Sequence, residues 1–161
     1  MKNKIIYCLC AALITGASVM HSPIVSADNK TQKKIKFRQS GYMFMRWNMG
    51  EIKKQVIKNP DSYNKKQVMA AANVIDAIAN SGIEKLFTPD TKEGKGWKKT
   101  AVKSGFFDNT DDINEIMNKL QKNTYQLVTA ANTGDINAIQ TQFENTLVVC
   151  KSCHKKYRKK I

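Results

Sequence analysis

The sequence predicts an all-α fold, an antiparallel four-helix bundle. Three observations lead there. Apolar residues recur every three or four positions in four separate stretches, the spacing of a helix that faces a core. No run alternates apolar and polar residues as a strand would. All but one of the connections are short, so neighbouring helices must run antiparallel.

Ahead of the helices, Met1-Lys-Asn-Lys4 is a short basic region and 5–20 is an apolar run. Val25-Ser26-Ala27 then gives a small-residue cleavage site, so 1–27 reads as a cleaved export signal and 28–161 as a single domain. The apolar run is too short to favour a membrane anchor. Cys8, Cys10 and His21 leave with the signal.

The first helix is predicted over about 33–58, with Ile35, Tyr42, Met45, Met49, Ile52 and Val56 on its core stripe. Arg38 and Gln39 share that stripe, and a charge on a core face needs a partner. Asn59-Pro60 ends the helix. The second starts near Asn64, with Gln67 three residues later as a capping box, and carries Val68, Ala71, Ala72, Ile75 and Ile78. Gly82 is its C-cap candidate, and 83–87 offers one more apolar turn.

The long connection, 88–109, holds Pro89, three glycines, Trp97 and Phe106-Phe107. A loop of that length in a small domain covers something, and a cofactor edge is one option. The third helix runs from Thr110 to about Asn132 on Ile113, Met117, Leu120, Thr124, Leu127 and Ala131. Asp135 caps the fourth, whose stripe is Ile136, Ile139, Phe143, Thr146 with Leu147, Cys150, Cys153 with His154, and Tyr157.

That last stripe ends in chemistry. Cys150-Lys-Ser-Cys153-His154 is a Cys-x-x-Cys-His signature for covalent haem c. Two thiols add to the haem vinyl groups and become thioethers, and the adjacent imidazole can reach the iron. On a helix, residues three and four apart share one face, which suits a planar porphyrin. The competing readings are a redox dithiol and half a zinc site. From Asp28 onward there is no further Cys or His to complete a zinc site. Two cysteines in an exported chain also make no disulfide scaffold.

The full chain has 27 Lys and Arg against 13 Asp and Glu, a formal net charge of +14. Losing Lys2 and Lys4 with the signal leaves +12. Such a balance fits an acidic redox partner, an anionic membrane face or a simply solvated surface. Nucleic acid is a poor fit for an exported chain. The first helix offers Arg38 and Gln39 to the haem propionates and Tyr42, one turn on, to the far face of the ring. Met43, Met45 and Met49 matter because a thioether can be a sixth ligand, although Met45 and Met49 also suit packing.

Arg38-Gln39, Gly41-Tyr42-Met43-Phe44-Met45, Trp47-Asn48-Met49-Gly50, Ala70-Ala-Ala-Asn-Val-Ile75 and Cys150-Lys-Ser-Cys153-His154-Lys-Lys-Tyr157-Arg158 together resemble cytochrome c′. The likeness is to the dimeric forms of purple sulfur bacteria, and cytochromes c′ are themselves four-helix bundles. The resemblance implies haem c on Cys150 and Cys153, His154 as the axial iron ligand, and propionate contacts from Arg38 and Gln39. It implies a five-coordinate iron with Tyr42 shielding the open side and Arg158 near the proximal imidazole. Nitric oxide and carbon monoxide would bind there, oxygen not stably. It also implies a homodimer through the first two helices that ligand binding can loosen. The chain departs from the family in the 88–109 loop, where Trp97, Lys98 and Lys99 stand near a position that is acidic in relatives. Thr91 is the propionate candidate from that loop.

The expectation is therefore a periplasmic, non-enzymatic haem c protein that binds small gases and transfers single electrons. The alternative is a low-spin electron carrier with Met45, Met49 or Met43 on the iron. Peroxidase-like chemistry fits poorly, because no histidine remains for acid–base work.

Overall fold

A computed structural model describes residues 24–160, with side chains from Asp28 onward. The export signal therefore lies outside the described residues, apart from the backbone around its cleavage site. Four helices follow in order: α1 (Ile24–Lys53), α2 (Lys65–Ala79), α3 (Thr110–Thr133) and α4 (Ile136–Tyr157). α1 packs on α2, α2 on α3 and α3 on α4, and α4 closes back on α1. Among the described residues there is no extended strand, only two isolated bridges, Lys95 with Lys99 and Val102 with Arg158.

The first helix begins earlier than its apolar pattern does. Residues 24–32 hold no stripe of their own, but Thr31 Oγ1 donates to Asp90 at 2.7 Å and Lys34 Nζ donates to Thr88 Oγ1 at 2.9 Å. These bonds tie the added turns to the long loop. The far end continues through one turn of π-helix, Lys54–Lys58, closed by Asn59 N–H on the Lys54 carbonyl at 2.9 Å. That wider turn keeps Gln55 and Val56 both buried.

The capping box of α2 forms by half. The Asn64 side chain accepts from Gln67 N–H at 3.1 Å, as expected. The return bond comes instead from Gln55, whose Oε1 accepts from Asn64 N–H at 2.9 Å. Gln67 Oε1 is already taken by Gln55 Nε2 at 3.1 Å. Gly82 does not end α2. Asn80 does, and Gly82, at φ 75°, starts a 3₁₀ turn over Ile83–Leu86. Asp135 caps α4 as expected, accepting from Asn137 and Ala138 N–H.

The core lies between the four stripes. Ile52, Val68, Ile75, Leu127 and Ile139 are fully buried, each worth roughly 1.5–3 kcal/mol of burial. The stripes read from sequence are largely the buried ones. Ile116, Ala130 and Val149 join them, one position off the predicted rows. No helix among the described residues is long and apolar enough to cross a membrane.

A candidate haem site between α1, α4 and the long loop

The site is assembled at one end of the bundle. α4 contributes Cys150 and Cys153, both free, half-buried and packed against the core. Burial pushes both thiols up, and Cys153, with Cys150 and Asp112 beside it, reaches about 11. Protonated thiols are poor redox nucleophiles and poor zinc ligands. Among the described residues no three His, Cys, Asp or Glu cluster as metal ligands do. His154 is exposed, and atoms packed on its inner side together with the charge of Arg158 lower its imidazole pKa. The neutral, ligating form of the ring is favoured accordingly.

Helix α1 supplies the opposite wall. Tyr42 is half-buried on the core, with its ring edge-on to Phe87 at 6.2 Å. Burial first, then Cys153, Glu84 and Cys150, push its phenol well above the usual tyrosine range. Tyr42 is thus a protonated phenol lying in the electrostatic neighbourhood of both cysteines. The turn over Ile83–Leu86 comes this close because Gly41 has no Cβ: one built there would sit 2.5 Å from Ile83 Cδ1.

Arg38 sits one turn before Tyr42 and is 3% exposed. Its guanidinium donates to Thr91 Oγ1 at 2.6 Å, Thr91 O at 3.0 Å, Thr100 Oγ1 at 2.7 Å and Leu86 O at 3.3 Å. It also stacks over Phe87 at 4.4 Å. Every one of these partners is neutral, and burial lowers the Arg38 pKa to about 10. Gln39 works differently from Arg38. Its Oε1 accepts from Trp97 N–H at 2.8 Å and its Nε2 donates to Lys98 O at 2.9 Å. The amide is spent on holding the loop. Thr91, fully buried, is a partner of Arg38.

The long loop thus closes on α1. Its end also pairs with the end of α4: Lys103 N–H donates to Tyr157 O at 2.9 Å and Lys159 N–H to Ala101 O at 2.7 Å. Arg158 sits in that pairing, opposite Val102. Tyr157 is fixed by a short hydrogen bond to Asp112 on α3 and by an edge contact with Phe106 at 5.7 Å.

The candidate sixth ligands separate. Met43 is 61% exposed on the outer side of α1, which removes it from the site. Met45 is packed in the core, and Met49 lies against the core. They stand about one and two turns beyond Tyr42 along the helix. Tyr42 is the first-helix group beside the cysteines.

These residues fit a haem. Beside them a cleft of about 210 Å³ is lined by Glu84, Phe87, Phe106, Phe107 and Ile113; of these rings Phe87 touches Tyr42 and Arg38, and Phe106 touches Tyr157. Arg38 is a buried cation with no carboxylate bonded to it, and a propionate would supply one. Glu84 Oε2 is buried with no donor facing it. Sequence reading missed Glu84 and Thr100. Glu84 lies inside what reads as an apolar turn, and Thr100 lies in a loop without periodicity.

Comparison with known proteins points to one family. A family model described as Cytochrome C′ matches residues 33–158. A cytochrome c′ of Allochromatium vinosum is 43% identical over 86% of this chain and 88% of its own length. One from Rhodocyclus tenuis is 40% identical over 81% and 97%. Among solved structures, a cytochrome c′ with an unusual ligand-controlled dimer dissociation superposes with a TM-score of 0.76 at 45% identity, covering 81% of this chain and 97% of that one. A nitric oxide complex of a mutant from Alcaligenes xylosoxidans superposes at 0.71 with 25% identity and the same coverage.

Proposed function

The chain belongs to the cytochrome c′ family, and on that footing we propose that it is a periplasmic, five-coordinate haem c protein that takes nitric oxide or carbon monoxide and passes single electrons. The family carries one covalent haem c per chain, and Cys150 and Cys153 are the thiols placed to hold it. When bound, that haem supplies an iron able to accept one electron and one diatomic ligand.

The protein's own residues set the conditions. His154, the only histidine among the described residues, would hold the iron from α4. Its lowered pKa favours the neutral, ligating ring. Tyr42 would stand across from it on α1. The observation that carries the reading is this placement of a protonated, half-buried phenol, a poor iron ligand, beside the cysteines. Its bulk excludes larger ligands and water. Arg38 holds the loop through Thr91 and Thr100 and would pair with a propionate. Phe87 and Phe106, stacked 4.4 Å apart, wall the cleft. No side chain is assigned an acid–base role.

The outer side of α1 supports a homodimer. Phe37, Phe44 and Trp47 are 62%, 51% and 58% exposed, and Phe44 stacks on Trp47. An apolar row of that kind marks a contact surface. Ligand entry beside Tyr42 acts on the same helix, which gives a route for loosening the pair. Tyr42→Ala should raise the carbon monoxide association rate of the ferrous protein about 10-fold or more, since each 1.4 kcal/mol removed from a barrier is tenfold. Flash photolysis reads it, and an unchanged rate removes Tyr42 from the entry path.

A further inference from the structure

Charge is unevenly placed along this chain. Residues 92–103 and 151–160 together hold eleven Lys and Arg against one acidic residue, Glu93, a net of +10. From Asp28 onward the whole chain carries +12, so all its other residues together carry +2. The fold brings the two segments into one surface. The Val102–Arg158 bridge and the Lys159-to-Ala101 bond lay the loop along the end of α4. Lys103 Nζ reaches across to donate to the Lys155 carbonyl at 3.1 Å. A tight turn, closed by Thr100 N–H on the Gly94 carbonyl at 3.0 Å, presents Lys95, Lys98 and Lys99 to solvent beside them.

Little on the protein answers this charge. Among the described residues the carboxylates that reach it are Glu93, 3.8 Å from Lys159, and Asp112, on Lys156. Lys151, Lys155, Arg158 and Lys160 stay exposed. The surface flanks the turn that carries Cys153 and His154. A cofactor attached there would sit beside the two segments that hold +10 of the +12 carried from Asp28 onward.

We propose that this surface is the electron-transfer docking face, and that its occupant is an acidic one-electron protein whose own redox centre lies behind a carboxylate-rich patch. The proposal rests on the haem-binding, electron-accepting reading given above. A field of this kind steers an oppositely charged partner and raises association 10–1,000-fold at low salt, and salt screens the effect. One electron leaves the partner's centre, which is oxidised, and reduces the ferric haem. No atom is transferred.

The test uses the haem-loaded full protein and a reduced plant-type [2Fe–2S] ferredoxin, an acidic donor with a potential near about −400 mV, in anaerobic stopped flow. A triple variant, Lys99→Glu with Lys155→Glu and Lys159→Glu, is compared with Lys58→Glu/Lys66→Glu at the other end of the bundle. The face variant should slow reduction at least about 10-fold at low ionic strength, and the wild-type rate should fall steeply with salt. The far-end variant should change the rate less than about twofold. Equal effects of the two variants, or a rate indifferent to salt, overturn the proposal. So does loss of binding to phosphatidylglycerol vesicles in the face variant with an unaltered ferredoxin rate, which would assign the surface to lipid. Reduction by dithionite, which needs no docking, is run in parallel. A protein that dithionite cannot reduce fails the haem reading itself, and one that dithionite reduces normally isolates the docking step.

Discussion

Past Met45, α1 buries Ile52 and Val56 against Val68 and Ile75, and the polar groups buried with them are neutral. Asn48 donates to the Phe44 carbonyl at 2.9 Å, and Gln55 spends both ends of its amide on Gln67 and Asn64. The group left over nearby is one hydroxyl, that of Tyr63. Before Met45 the same helix buries the full charge of Arg38 with neutral hydrogen-bond acceptors. Neutral amides can be satisfied inside a protein at little net cost, whereas a buried charge without a counter-charge is expensive. One half of the helix is built to hold the bundle together. The other is built to receive a planar, partly anionic group.

Removing apolar volume from the first half gives the largest effect. Ile52→Ala should lower unfolding stability by about 2–5 kcal/mol in denaturant titration while leaving the haem spectrum as it was. A spectrum that shifts together with stability would show that the halves are coupled. Arg38→Met breaks the second half. It strands the Thr100 hydroxyl and the Thr91 carbonyl, while the Thr91 hydroxyl keeps its bond to the Thr88 carbonyl, and should cost about 1–3 kcal/mol, with faster proteolysis in the 88–109 loop and a perturbed haem band. If only stability moves, Arg38 has no part in the site.

A smaller effect should appear with pH. Lys156 first and Tyr157 second hold the Asp112 carboxyl below the usual carboxylate range. Its folded pKa is depressed, so the contribution to stability is present above the unfolded value of about 3.9 and is lost as pH falls through the folded one. Asp112→Asn should therefore flatten the acid limb of the Tm profile below about pH 4 and leave the neutral limb parallel to wild type. An acid limb of unchanged slope would discount the Asp112 link between α3 and α4.

The apolar half of this comparison was legible in the sequence and the charged half only in part. Periodicity marks Ile35, Ile52, Leu127 and Ile139, and capping chemistry marks Asn64 and Asp135, because both follow from local spacing. The Cys-x-x-Cys-His spacing gives the cofactor in the same way. Arg38 announced itself as a charge on a core stripe, but its partners Thr91 and Thr100 sit 53 and 62 residues away. Nothing in a loop without period pairs them with Arg38, and Thr91 stood out only as a propionate candidate. Gln39 shared the stripe and was expected at a propionate, yet the loop backbone claims its amide. The same local logic failed for Gln67, because Gln55, from a different helix, competes for the return bond of the cap.

The central claim is that Tyr42 faces the haem without ligating the iron. The absorption and electron paramagnetic resonance spectra of the ferric, haem-loaded protein test it most directly. A high-spin, five-coordinate spectrum that shifts when carbon monoxide is added to the reduced protein is the predicted result. A low-spin spectrum with the far-red band of methionine–iron ligation would contradict it and place Met45 or Met49 on the metal.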